Sequence, residues 1–145
     1  MQLNDHTDFG LRLLMTMGVS PQKRWVAKDL ASVHGLSFTH VQKVVQSLES
    51  AGFVETFRGR GGGVSLARDL ADVTIGDVIR MLEPDLHLVR CFRAGPSGCA
   101  LEGGCALTSV LRRARAAFLA ELDSSSLQDV IDRTPHVRRV AEAVG

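Results

Sequence analysis

Residues 25–67 read WVAKDLASVHGLSFTHVQKVVQSLESAGFVETFRGRGGGVSLA. The stretch opens with two helical segments. The first covers about 27–33, with Leu30 and Val33 turned inward. His34-Gly35-Leu36 makes a turn, and Gly35 can take the left-handed backbone that closes a helix. Ser37 then caps a second helix, in which Val41, Val44, Val45 and Leu48 recur at i, i+3, i+4 and i+7. Gly52 ends it. Two helices, a short turn with glycine and a capped second helix form a helix-turn-helix pattern. FVETF (53–57) alternates and is β-prone, RGRGGG is a basic glycine-rich turn, and VSLA resumes the strand, so a β-hairpin follows. A hairpin directly after a helix-turn-helix is a wing, and the combination is more specific than either part.

The flanks fit this centre. TDFGLRLLMTM (7–17) is apolar at 9, 11, 13, 14, 15 and 17, which suits a mostly buried helix. Asp5, Thr7 and Asp8 suit its start, as caps or as acids facing the helix dipole. SPQKR (20–24) is a polar turn. Downstream, Thr74 and Asp77 form a capping-box pair ahead of Ile75, Val78, Ile79 and Leu82, and Glu83-Pro84 breaks that helix. From about 106 to 123, Leu107, Val110, Leu111, Ala114, Ala117, Phe118 and Leu122 keep a 3.6 period, with Arg112, Arg113 and Arg115 on the other side. SSSLQDVID begins a short helix; Pro135 interrupts, and the tail is weakly helical. The fold expected is mainly α with a small β-wing: a winged helix-turn-helix DNA-binding domain over 1–80, a cysteine-rich loop over 81–105, and a dimerisation helix with a C-terminal tail over 106–145.

At 145 residues the chain suits one domain, and 45% hydrophobic residues suffice for a packed core. No apolar run approaches the roughly 18 residues of a membrane span. The polar, acidic start MQLNDHTDFG is unlike a signal peptide, which predicts a cytoplasmic protein with reduced thiols. A net charge of +1 says little about partners, so the placement of charge matters more. On the second helix of the motif, Ser37, Thr39, His40, Gln42 and Lys43 lie near the end that meets base edges in a major groove. Gln42 can present donor and acceptor to adenine, and Lys43 suits guanine or phosphate. At the hairpin tip, Arg58 and Arg60 can reach phosphate or a minor groove. Each residue alone also fits a solvated surface; together, ahead of a wing, they point to double-stranded DNA.

All three cysteines fall in CFRAGPSGCALEGGC, at 91, 99 and 105, a C-x7-C-x5-C spacing. Zinc usually takes C-x2-C pairs or added histidines. A thiol redox enzyme often carries C-x-x-C. Neither pattern is present, although a zinc-stabilised domain or a cysteine-based redox enzyme stays open as an alternative. An iron–sulfur cluster accepts thiolates on longer loops because it is larger than a single ion. Gly95, Gly98, Gly103 and Gly104 would let the loop wrap a bulky group. Three thiolates leave one iron position open, for which His34, His40, His87 and His136 are candidates by chemistry, as are a carboxylate, water or a small molecule.

The opening MQLNDHTDFGLRLLM, the wing FRGRGGGVSLA, the segment TIGDVIRMLEP and the three-cysteine loop ahead of a long helix together resemble the Rrf2 family of iron–sulfur winged helix-turn-helix regulators, over nearly the whole chain. HTDFGLRLLM and IRMLEPDLHLVRC are most similar to its nitric-oxide-sensing repressors. That resemblance implies a homodimeric repressor, not an enzyme, acting on a DNA operator with nitric oxide as its signal. It also implies a cluster, [4Fe–4S] rather than [2Fe–2S], on Cys91, Cys99 and Cys105, with Asp8 of the partner subunit as the fourth ligand. The gaps of seven and five resemble the family's iron-responsive members instead. Thr108 stands where another branch has a histidine, three residues after the last cysteine.

Overall fold

The computed structural model describes residues 2–144. Helix α1 spans Asp5–Gly18, α2 Ala27–Val33 and α3 Phe38–Ser50; strands β1 (Val54–Phe57) and β2 (Gly63–Leu66) follow, then α4 (Ile75–Leu82), α5 (Ala106–Asp123), α6 (Leu127–Asp132) and α7 (Pro135–Glu142). The expected winged helix-turn-helix is present. Gly35 sits at φ 63° in the α2–α3 turn, a backbone that glycine adopts without the Cβ clash. The Ser37 hydroxyl accepts from the His40 amide at 3.2 Å, capping α3. The wing is an antiparallel pair running from Val54↔Leu66 to Phe57↔Gly63.

Three features go beyond local pattern. The cap of α1 is Asn4, whose side chain accepts from the Thr7 amide at 2.8 Å. Its own amide groups donate to the Glu83 carboxylate, which ties the start of α1 to the end of α4. Asp5 and Asp8 therefore occupy the first turn, where the helix dipole favours acids. Second, Trp25 joins the wing: its N–H donates to the Val64 carbonyl at 2.7 Å and its carbonyl accepts from Val64 at 2.8 Å. Third, Pro135 opens a helix, because its missing N–H costs nothing in a first turn.

The core lies between α1, α3, α4 and the wing, with Leu13, Leu14, Leu30, Val41, Leu48 and Val78 fully buried. The chain returns to it after α5. Leu127 and Ile131 of α6 and Val137 and Ala141 of α7 are buried in the same cluster, and both helices pack on α1. The return is pinned by Ile75 N–H to the Ser125 carbonyl and Leu127 N–H to the Val73 carbonyl. Arg80 adds a bidentate pair to Asp123 at 2.7 and 2.6 Å.

Helix α5 is the exception. Among its described residues none is buried. Leu111, Leu119 and Leu122 are half-covered on the side toward α4, while Leu107 is 60% and Val110 49% exposed. An 18-residue helix, about 27 Å long, thus carries an apolar stripe that no described residue of its own chain covers.

Candidate DNA interface and cofactor loop

A groove of about 750 Å³ separates α3 from the wing. Thr39, Gln42, Lys43 and Gln46 form its helical wall, and Phe57, Arg58 and Gly59 the other. Val41, Val44, Val45 and Leu48 anchor the buried face of α3, so a 3.6 period leaves those polar side chains outward. Ser37 serves as the cap. His40 turns toward α1, its ring centroid 6.4 Å from that of Phe9. Arg60 is exposed at the hairpin tip. Lys28 also lines the groove, its ammonium 5.8 Å from the Phe38 ring. Its place in the groove leaves no mark in the sequence, because α2 has no side-chain cap or motif around it.

The cysteine loop leaves the body where Pro84 stops α4 and returns as α5. Its three thiols are unbonded to one another, Cys91 and Cys105 partly covered and Cys99 exposed. Among the described residues no three His, Cys, Asp or Glu side chains converge closely enough to hold a single metal ion. A Cβ built at Gly95, Gly98, Gly103 or Gly104 would meet nothing within 4 Å, so the loop runs through open space. Three soft donors on an open loop suit a group larger than one ion, which the iron–sulfur chemistry supplies.

The two ends of the loop are built differently from its middle. Cys91 lies in a single 3₁₀ turn, Arg90–Phe92, with its sulfur 3.7 Å from the Thr108 hydroxyl of α5. The neighbouring Phe92 ring is bracketed by two guanidinium groups of α5, Arg112 at 5.1 Å and Arg115 at 5.2 Å. An Arg93–Asp85 ion pair and an Arg115–His87 contact hold the same segment. Arg112 and Arg115 thus do not stand idle on the far side of α5; they dock the first cysteine. The signal was available as an aromatic beside Cys91 and two arginines three apart on one helix, but the pairing is tertiary. Cys105 occupies the N-cap position of α5. No cap bond closes to its sulfur, but the Thr108 amide and hydroxyl and the Leu107 amide face it and hold the thiol below its ordinary pKa. A helix N-terminus favours the thiolate for the same reason. In the middle, Ser97 orders the approach to Cys99, its hydroxyl accepting from the Cys99 amide at 3.2 Å and donating to Glu102 at 2.8 Å.

Asp8 lies on α1, half-covered, paired with Arg12 at 2.5 Å. It is not grouped with the cysteines of its own chain. The histidines are also elsewhere. His34 turns inward to the Thr16 hydroxyl at 2.9 Å, and burial, then Arg12, push its pKa down against a smaller upward pull from Asp8. His87 faces Arg115, and His136 sits beside Arg139 on α7.

The comparisons with known proteins agree with this architecture. The family model described as "Rrf2: Iron-dependent Transcriptional regulator" matches residues 3–133. The HTH-type transcriptional regulator NsrR of Bacillus licheniformis is 38% identical over 141 residues, spanning 97% of this chain and 99% of that protein. The protein of the same name from Oceanobacillus iheyensis is 39% identical over 132 residues, 90% of each chain. Among solved structures, CymR, the global cysteine regulator of B. subtilis, superposes with a TM-score of 0.75 at 26% identity, covering 92% of this chain and 98% of that one.

Proposed function

The chain belongs to the Rrf2 family of transcriptional regulators, and on that premise we propose that it is a homodimeric, cytoplasmic repressor reporting nitric oxide through an iron–sulfur cluster. It is a DNA-binding regulator and not an enzyme, as its named relatives are. Among the described residues no helix is long and apolar enough to cross a membrane. The observation that carries the proposal is the placement of three unbonded thiols on one open loop whose far end starts α5. Cys91, Cys99 and Cys105 would hold the cluster, with Asp8 of the partner subunit completing four ligands. Four ligands fit either cluster type, and the resemblance to the family's nitric-oxide-sensing repressors favours [4Fe–4S] over [2Fe–2S]. When bound, the cluster would supply iron able to react with nitric oxide, held by these residues.

The chain's own residues carry the consequence to DNA. Cys91 rests on α5 through Phe92, and Cys105 begins α5, so a change in loop conformation moves the start of that helix. The other end of α5 is fixed to the DNA-binding body by Arg80–Asp123 and the bonds around Ser125. Pairing of two α5 stripes would set two copies of α3 about 34 Å apart, one turn of a pseudo-palindromic operator. Asp8 is followed by Phe9, whose ring centroid lies 6.4 Å from that of His40 on α3, so a ligand bound at Asp8 would stand one residue from a side chain that faces α3. The loop and the operator thus each favour one dimer geometry, and their binding is reciprocally linked.

A gel shift with anaerobically reconstituted protein tests this. Nitric oxide is expected to release the operator while an iron chelator, on the same timescale, leaves it bound. Unchanged binding under nitric oxide would remove the proposal. The iron-dependent description of the family and the C-x7-C-x5-C spacing favour a second reading, in which iron supply is the signal; release by chelator alone would select it. For the wing, Arg60→Ala is expected to weaken binding to all sequences and to lower the log–log salt slope by about one, the share of one phosphate contact. A slope equal to that of the parent would show that the tip meets no phosphate.

A further inference from the structure

We propose that Arg24 is the positioning residue of the wing, setting the turn that presents Arg58 and Arg60 without binding phosphate itself. The proposal rests on the wing contacting DNA and adds how the wing is held. The Arg24 guanidinium lies 3.8 Å from the centroid of the Phe57 ring, in stacking range. Its Nη1 donates to the Gly61 carbonyl at 3.2 Å. Phe57 ends β1 and Gly61 lies in the turn, so one side chain spans an arm of the hairpin and its tip.

The backbone that carries Arg24 is itself fixed to the wing. Trp25, the next residue, exchanges both backbone hydrogen bonds with Val64 of β2. At Gly63 a Cβ would lie 2.5 Å from the Trp25 carbonyl oxygen and 2.9 Å from Arg24 Cγ. Only glycine there lets the Arg24 stem lie against the start of β2. Phe57 remains 37% exposed, so a cation rather than an apolar neighbour is what lies over its ring.

The turn needs such a brace. Residues 58–62 include three glycines, and the turn's own bond is Gly62 N–H to the Gly59 carbonyl at 2.9 Å. A glycine-rich turn loses much conformational freedom when it settles on DNA, and ordering it beforehand removes that cost from binding. Arg24 does this through a planar, stacked, forked group that lysine does not reproduce.

The test compares Arg24→Ala, Arg24→Lys, Phe57→Leu and Arg60→Ala in the 145-residue protein. Stacking plus one hydrogen bond sets the expected loss for Arg24→Ala at roughly five- to thirty-fold in operator affinity at fixed salt, with the salt slope unchanged. Arg24→Lys is expected to lose about as much, because charge is kept and the stack is not. Phe57→Leu, which leaves every charge, an apolar β1 and the Gly61 bond in place, should lose the smaller share that belongs to the stack. In the DNA-free protein, exchange of the Gly62 amide, which is bonded to the Gly59 carbonyl, should quicken in all three. A slope lower by about one for Arg24→Ala, with affinity restored by lysine, would make Arg24 a phosphate ligand and overturn the proposal; so would parental affinity in Arg24→Ala. An unchanged slope in Arg60→Ala alone would instead sink the wing–phosphate contact, whatever Arg24 does.

Discussion

Cys99→Ser protein isolated without oxygen is expected to be colourless. Loss of a mere supporting group around a metal ligand costs ten- to a hundred-fold in metal affinity, so removal of a ligand itself should lower iron and acid-labile sulfide per chain at least about tenfold. The effect should be confined to the cofactor. Cys99 is exposed and unbonded to another cysteine, and the hydrogen bond it makes to the Ser97 hydroxyl is donated by its backbone N–H, not by its side chain. The melting temperature of the cofactor-free variant should therefore equal that of cofactor-free parent. Operator binding should also stop responding to nitric oxide. Visible absorption that survives in Cys99→Ser at the parental level would end the ligand assignment, and with it the proposed route from signal to DNA.

The second large effect is expected from Val110→Glu. Val110 is 49% exposed and lies one turn from Leu107, 60% exposed, on the outer stripe of α5. Paired across a two-fold axis, two glutamates would face each other in an apolar contact and separate the subunits. A divided operator reader loses the gain from binding two half-sites together, about 10²- to 10⁴-fold in affinity. Sedimentation should show a monomer at micromolar concentration, and gel shifts the corresponding loss. Packing within the chain should survive, since Leu111, Leu119 and Leu122 cover the side toward α4 and Arg80–Asp123 holds the far end. A dimer of parental affinity carrying this glutamate would show that the α5 stripe is not the subunit contact.

Much of the fold was legible because it is written in short-range chemistry. The Ser37 cap, the 41-44-45-48 stripe, the Thr74–Asp77 box and the glycine turn between two alternating stretches each involve residues a few positions apart. The cysteine loop was legible for the same reason, as composition and spacing within fifteen residues. The start of α1 was only partly so: several acids and Thr7 suited the cap, but Asn4 holds it, because Glu83 fixes Asn4 from 79 positions away. The arginines of α5 were visible as a polar face; that two of them bracket Phe92 was not.

By itself the sequence determined a helix-turn-helix with a wing, a long amphipathic helix and a loop that gathers every thiol. Caps, periods and turn residues act through the backbone next to them, so they leave their mark in order along the chain. Only the tertiary structure decided that Trp25 and Arg24 brace the wing, that His34 turns inward to Thr16, and that α6 and α7 return to close the core over α1 while α5 is left with an uncovered stripe. Those contacts join residues from 18 positions apart, at Thr16 and His34, to more than a hundred, between α1 and α7. Burial and hydrogen bonding choose such partners from the whole folded surface, and no local pattern records the choice.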